Sequence, residues 1–265
     1  MIDEAVTDFS SLSDEQFTAQ LAELVELAQR ERQENQLLHY TPVSETALKI
    51  HESKARVLGI GGGNGSGKSE LAIMEVVMAA TGVFPESLKH LAAQKFRGPV
   101  NCRIIVQSLT TTLYNIILPK LQHWKWSGID APGGERGHWG WIPKWSLIGS
   151  SWERSWHDKL RTLRCVCRDP DDINRVVGES TIQFMSHDQE SSDAASGDFH
   201  IIMLDEIPKL AMWRETEART MRVAGRIILS MTWSDDPAIP VDWIFDKVYD
   251  KAADKVDGFE WHNIY

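Results

Sequence analysis

Apolar runs of about four to six residues alternate along this chain with longer segments in which apolar positions recur at helical spacing. Arg56 to Ile60, Cys102 to Gln107, Ile201 to Leu204 and Arg226 to Met231 have the length and near-continuous hydrophobicity of buried strands. Between and after them, Leu71 to Ala80, Thr110 to Trp124, Met212 to Val223 and Trp243 to Ala253 read as helices. Strand following helix in this order predicts an α/β protein whose central, mainly parallel sheet is flanked by helices on both faces. Ahead of the first strand, Phe17, Leu21, Leu24, Val25, Leu27 and Ala28 mark a helix over 14–38, with Ser13 or Asp14 as its cap. Pro42 interrupts it, and a helix resumes over Thr46 to Ser53. Leu160 to Cys167 and Ser180 to Met185 predict two strands able to pair as a hairpin around a polar, turn-rich loop at 168–178. Ser186 to Asp198 reads as a flexible loop, and an Asp-Pro turn follows Met231. No internal repeat is visible.

One stretch breaks the alternation. Trp124 to Trp156 holds seven of the eleven tryptophans, at 124, 126, 139, 141, 145, 152 and 156, among glycines and prolines with no sustained period. It predicts either an irregular, partner-facing insertion or a small aromatic core of its own. With 265 residues, 42% of them hydrophobic, the chain can bury a full core in one domain. No run approaches the roughly 18 apolar residues of a membrane span, and Met1 to Ala5 lack a signal pattern, so a cytosolic, unsecreted protein is expected. Cys102, Cys165 and Cys167 lack metal-ligand spacing and read as free thiols. A formal charge of -10 excludes a wholly nucleic-acid-coated surface. Residues 95–175 nevertheless carry 13 Lys and Arg against 7 Asp and Glu, a net of +6 that leaves -16 elsewhere. That asymmetry fits a local anionic contact or an ordinary solvated face.

Chemistry concentrates at three places. Gly62-Gly63-Asn64-Gly65-Ser66-Gly67-Lys68-Ser69 lies between the first strand and a helix, the setting of a P-loop. Its glycines let backbone amides converge on phosphate oxygens, Lys68 reaches the β and γ phosphates, and the Ser69 hydroxyl serves Mg²⁺. Ile201 to Leu204 lead straight into Asp205-Glu206, a Walker B pattern. There Asp205 orients the metal through its water, and Glu206 takes a proton from the water that attacks the γ phosphate. Third, Ser230 and Thr232 end the 226–231 strand on one face, on the far side of Walker B, where either could sense the γ phosphate. The order of motifs predicts the ASCE class of P-loop NTPases, with its extra central strand and catalytic glutamate.

Taken together, Tyr40-Thr41-Pro42 with Leu48 to Ser53, the GGGNGSGKSE turn, Ser180 to Gly197, IIMLDEIP and GRIILSMTW resemble the ATPase domain of the large terminase subunit of tailed bacteriophages over roughly 38–250. The resemblance implies an ATP-hydrolysing, Mg²⁺-dependent motor that drives double-stranded DNA into a procapsid, with sequence-independent DNA contact. It implies a homo-oligomeric ring on the viral portal, a terminase small subunit as partner and the host cytoplasm as location. It assigns ATP binding to Gly62 through Ser69, catalysis to Lys68, Asp205 and Glu206, metal to Ser69 and Asp205, and coupling to Ser230 and Thr232. Two departures stand out. Thr46-Ala47 occupies the region where relatives place an adenine-reading glutamine, and Asn64-Gly65 replaces the P-loop arginine of many relatives. A trans-acting arginine is therefore expected from elsewhere, with Arg154, Arg161 and Arg164 as candidates. The expected organisation is a helical segment over 1–54, a P-loop domain over 55–255 with an insertion about 124–178, and no nuclease domain. Two other functions fit the P-loop. One is a small-molecule phosphotransferase with Arg154 to Arg175 as lid, and the other is a nucleotide-gated interaction protein built on the tryptophans.

Overall fold

A computed structural model of the chain describes residues 13–124, 138–189, 197–233 and 241–265. Trp126, the middle of the Ser/Asp-rich loop and the Asp-Pro turn lie outside the described residues.

Helix α1 (Asp14–Glu34) opens with a capping box in which Ser13 and Gln16 satisfy each other's backbone amides. None of its residues is buried, and Leu21, Leu24, Val25 and Leu27 remain exposed. A short 3-10 turn leads to α2 (Glu45–Glu52), capped by Ser44, and then to β1 (Val57–Gly62) and α3 (Lys68–Thr81). β2 (Asn101–Val106) is followed by a π-helical turn over Leu109–Ile117 that runs into α4 (Leu118–Leu121). β3 (His123–Trp124) and β4 (His138–Trp139) make a separate two-stranded ribbon. Next come α5 (Trp152–Ser155), β5 (Trp156–His157), β6 (Thr162–Asp169) and β7 (Asp172–Ser186). The remainder is β8 (Ile201–Asp205), α6 (Leu210–Met221), β9 (Arg226–Met231), the helical pieces α7 (Asp242–Ile244) and α8 (Asp250–Ala253), and β10 (Phe259–Ile264).

Eight strands form one sheet in the order β10-β1-β9-β8-β2-β7-β6-β5. Every pairing from β10 to β7 is parallel, and only β6 is reversed, pairing antiparallel with β7 on one side and β5 on the other. Alternation along the strands divides the core into two. Leu58, Ile60, Ile104, Met203 and Ile228 face α3, whereas Val57, Ile105, Ile202, Leu204, Ile227 and Leu229 face α6 and the C-terminal helices. Both faces are covered, which is why β8 reads as an unbroken apolar run. Each such side chain contributes roughly 1.5–3 kcal/mol by leaving water.

Three expectations change. The polar stretch 168–178 is mostly strand, because β7 continues to Asp172 and projects with β6 as a long hairpin whose far end is solvated. It extends the sheet, so Arg154 to Arg175 does not make a lid. The tryptophans are not set apart: Trp139, Trp141, Trp145, Trp152 and Trp156 pack on the α3-side core. Three indole N–H groups find acceptors there, Trp139 at Ile142 O, Trp141 at the Glu70 carboxylate and Trp145 at Asn35 Oδ1. Finally, β10 adds a parallel edge strand beside β1. Gly59 makes room for it, since a Cβ at that position would sit 2.0 Å from the Trp261 ring.

Among the described residues no single helix is long and apolar enough to cross a membrane. The apolar composition of α3 reflects burial against the sheet. All three cysteines are buried free thiols.

Candidate nucleotide site

The parallel strands bring the three motifs to one edge. β9 pairs with β1 on one side and β8 on the other, so the Ser230 position lies directly between Ile60 and Asp205. The hydroxyl-bearing strand end therefore separates the two Walker motifs, correcting its expected place beyond Walker B. Odd and even positions alternate across the sheet, and Ile60, Ser230 and Asp205 share the face that carries α3.

Within the loop, Gly65 and Gly67 take φ values of 77° and 90°, backbone that β-carbons disfavour. A Cβ at Gly63, Gly65 or Gly67 would meet nothing within 4 Å, so the turn is open on its outer side. α3 begins at Lys68 with no side-chain cap, leaving its first N–H groups pointed at that opening. The Lys68 ammonium is mostly buried and donates to the Gly63 carbonyl across the loop at 2.7 Å.

The Ser69 hydroxyl donates to Asp205 Oδ1 at 2.7 Å, tying the start of α3 to the end of β8. Burial pushes the Asp205 carboxyl above the ordinary carboxylate range; the Ser69 bond opposes this, Glu206 adds to it, and Lys120 and Lys68 oppose it. Glu206 sits at φ 70°, a left-handed conformation that costs a non-glycine residue about 1 kcal/mol or more. What holds it there is visible. Its own N–H donates to Ser230 O at 2.7 Å, and its carboxylate accepts the Thr232 N–H at 2.9 Å. The Thr232 hydroxyl lies 3.0 Å from Glu206 Oε1 and 3.2 Å from Asn64 Oδ1. Thr232 thus bridges the glycine turn and the glutamate. Thr232→Val should lower phosphate release about tenfold while leaving nucleotide affinity near wild type, from the loss of one charge-assisted hydrogen bond. A phosphate-release assay beside a nucleotide titration checks it, and an unchanged rate would discard the bridge as a working part.

Several buried polar atoms at this edge have no protein partner among the described residues: Ser66 Oγ, Ser230 Oγ and both ring nitrogens of His187. Orphaned groups of this kind call for a polar occupant such as phosphate or water. His187 follows β7 directly, and its N–H reaches Val106 O at 2.9 Å. Burial holds its ring below the ordinary histidine value, partly offset by the nearby Ile105 and Asp205 backbone and by the Asp188 and Glu206 charges. Lys120 is a further cation at the site, paired with Glu70 Oε2 at 2.5 Å, next in sequence to Ser69. Neither His187 nor Lys120 carries a local signature, and only the pairing of distant strands places them here.

Among the described residues no group of three or more His, Cys, Asp or Glu side chains is poised for a metal. A Mg²⁺ ion held by Ser69 and Asp205 would draw its other ligands from phosphate oxygens and water, as this ion commonly does.

Of the arginine candidates, Arg161 lies at this edge. β6 runs antiparallel to β7, so Arg161, just before its start, stands beside the C-terminal end of β7, where Phe184 N–H reaches Arg161 O at 2.9 Å. Arg154 lies on α5 and packs against the turn at Gly149. β6 is three strand steps from β8, about 14 Å, so neither side chain is placed to serve its own chain's Asp205. Arg164, within β6, is instead paired with Glu179.

No family model and no curated protein matches the sequence. Solved structures do. A large terminase from a thermophilic bacteriophage is 12% identical with a TM-score of 0.51, over 84% of this chain and 46% of that one. The same phage's large terminase in complex with ADP gives 12% identity and a TM-score of 0.49, over 83% and 45%. The large terminase ATPase domain of Thermus phage P74-26 gives 16% and 0.46, over 86% and 82%. This chain is thus similar in fold to a phage large terminase: an α/β P-loop architecture with a central, mainly parallel sheet between layers of helices.

Proposed function

We propose that the protein is the ATP-hydrolysing motor domain of a viral terminase large subunit, moving double-stranded DNA into a procapsid. The observation that carries this reading is the hydroxyl–carboxylate contact between Ser69 and Asp205, with Glu206 clamped by Thr232 beside the same glycine turn. In this reading the amides of 62–69 and Lys68 bind the phosphates of ATP, and Ser69 and Asp205 hold Mg²⁺, which supplies charge neutralisation. Glu206 accepts a proton from the attacking water, and Ser230 and Thr232 transmit occupancy of the site to the sheet.

The arginine that completes the site comes from a neighbouring copy, with Arg161 and Arg154 favoured over the paired Arg164, so the working form is a ring. The ring sits on the viral portal in the host cytoplasm and works with a small subunit. DNA contact is directed at phosphate and independent of sequence. In this scheme a helical segment ahead of β1 precedes a P-loop domain that begins near residue 55 and runs on through β10 (Phe259–Ile264), past the bound at 255 expected from the sequence.

The test is phosphate release from Mg-ATP without any acceptor, stimulated by duplex DNA. Lys68→Ala should weaken ATP binding roughly 10- to 100-fold, the loss of a strong charge-assisted contact. Phosphate transfer to a small molecule in preference to water would replace this reading with a kinase.

A further inference from the structure

A second basic site lies at the opposite edge of the sheet. A cavity of about 430 Å³ opens where β1, β8 and β9 begin, against the final turns of α3. The length of β1, about 20 Å, separates it from the P-loop. Its lining carries four cations, Lys54, Arg56, Lys95 and Arg226, against one carboxylate, Glu75, on an apolar wall that includes Phe96. The cations divide in two. Arg226 is spent on the protein, donating to Ser53 O, Ala55 O and Glu75 at 3.0 Å each. Lys95 gives one bond to Glu75 at 2.7 Å, and its other N–H groups have no partner among the described residues. Lys54 is exposed and without an ion pair or hydrogen bond among those residues, while the Arg56 guanidinium lies over the Phe259 ring, 5.7 Å from its centroid. Glu75 is already saturated by His51, Lys95 and Arg226, so it has no capacity left to neutralise the other two. Glu260 is the next carboxylate felt by Lys95, and it acts on it least.

We propose that this cavity binds a phosphate group, held by Lys54, Arg56 and the free N–H groups of Lys95. Three cations line one concave space with no carboxylate left to neutralise them all, and a guanidinium and two ammonium groups offer the donors that the oxygens of phosphate accept. Because Lys54 stands at the exposed rim, the group is supplied either by the backbone of duplex DNA or by free phosphate. The inference does not rest on the hydrolysis reading, because none of its residues lies in the P-loop and the duplex and phosphate binding that test it need no turnover.

The experiment uses the full chain carrying Lys54→Gln and Arg56→Gln, each alone and together, with Lys54→Gln alone as the variant least able to disturb folding. Binding of a short random-sequence duplex is measured across a salt series. Inorganic phosphate is titrated calorimetrically in a Lys68→Ala background, so that the P-loop does not contribute. If the source is DNA, the double variant should bind the duplex about tenfold more weakly, with the slope of log affinity against log salt reduced by about 2. If the source is free phosphate, duplex binding is unchanged and the calorimetric site disappears. Unchanged slope together with unchanged phosphate binding overturns the proposal. DNA-independent ATP turnover should match wild type in both outcomes that support it, and its loss alone speaks to the P-loop reading.

Discussion

Glu206→Gln is expected to lower ATP turnover by roughly 10²–10⁴-fold while nucleotide affinity stays within a few-fold of wild type, the size of effect that removing a positioned general base produces. The geometry makes this substitution unusually clean. The Glu206 backbone conformation is fixed by its N–H to Ser230 O and by Thr232, and an amide of the same shape still accepts the Thr232 N–H through its oxygen. Its NH₂ group can donate to the Thr232 hydroxyl, so the clamp survives while the proton acceptor is lost. Lys68, Ser69 and the glycine turn are untouched, so phosphate binding should persist. Single-turnover phosphate release measured beside nucleotide binding separates the two quantities. Turnover within twofold of wild type would remove Glu206 from proton transfer and leave Thr232 as a structural latch alone.

That experiment rests on residues whose roles could be read locally. The glycine spacing before Lys68 dictates a strand-to-helix turn whatever surrounds it, and an unbroken apolar run into Asp205 announces a strand covered on both faces. What could not be read was lateral order. Nothing in the sequence of β9 says that it inserts between β1 and β8, yet that insertion brings Thr232 within reach of both Asn64 and Glu206. The edges were equally hard to read for a related reason. Phe259 to Ile264 mixes apolar with polar residues because an edge strand is only half covered, and the Asp172 to Gly178 part of β7 looks like a loop because its hairpin end is solvated. His187 and Lys120 reach the site only through tertiary pairing, and the tryptophans lacked a period because they fill gaps over an existing core from a series of short, unlike elements: the strands β4 and β5, a 3-10 turn and the single turn of α5. Periodicity reports how one segment meets one surface, and it has no access to which segments share that surface.

The same distinction governs the second large effect, at Glu75. In the sequence it is one glutamate within an apolar helix; in the fold it is fully enclosed. Burial alone would raise its carboxyl, but Lys95, His51 and Arg226 overcome that and hold it well below the ordinary carboxylate range. His51 Nδ1 is 2.8 Å away, and Tyr40 in turn is 2.8 Å from His51 Nε2, so α2, α3, the Lys95 segment and the start of β9 meet at one charge. Glu75→Gln should therefore destabilise the protein by about 2–4 kcal/mol, because two largely buried cations at the cavity wall lose their counter-charge while the side chain keeps its shape. Since the folded-state pKa is depressed, this stabilisation is complete above the unfolded carboxylate range, near pH 4.3, and declines as pH falls below it. Urea denaturation of wild type and variant should show a gap that is constant near neutrality and narrows in acid. Adding Lys95→Met to Glu75→Gln should recover part of the loss, since it removes one of the stranded cations. A variant as stable as wild type at neutral pH would mean that water reaches these charges and that the cluster contributes little to folding. Full additivity of the two substitutions would show instead that the pair is not coupled through Glu75 Oε2.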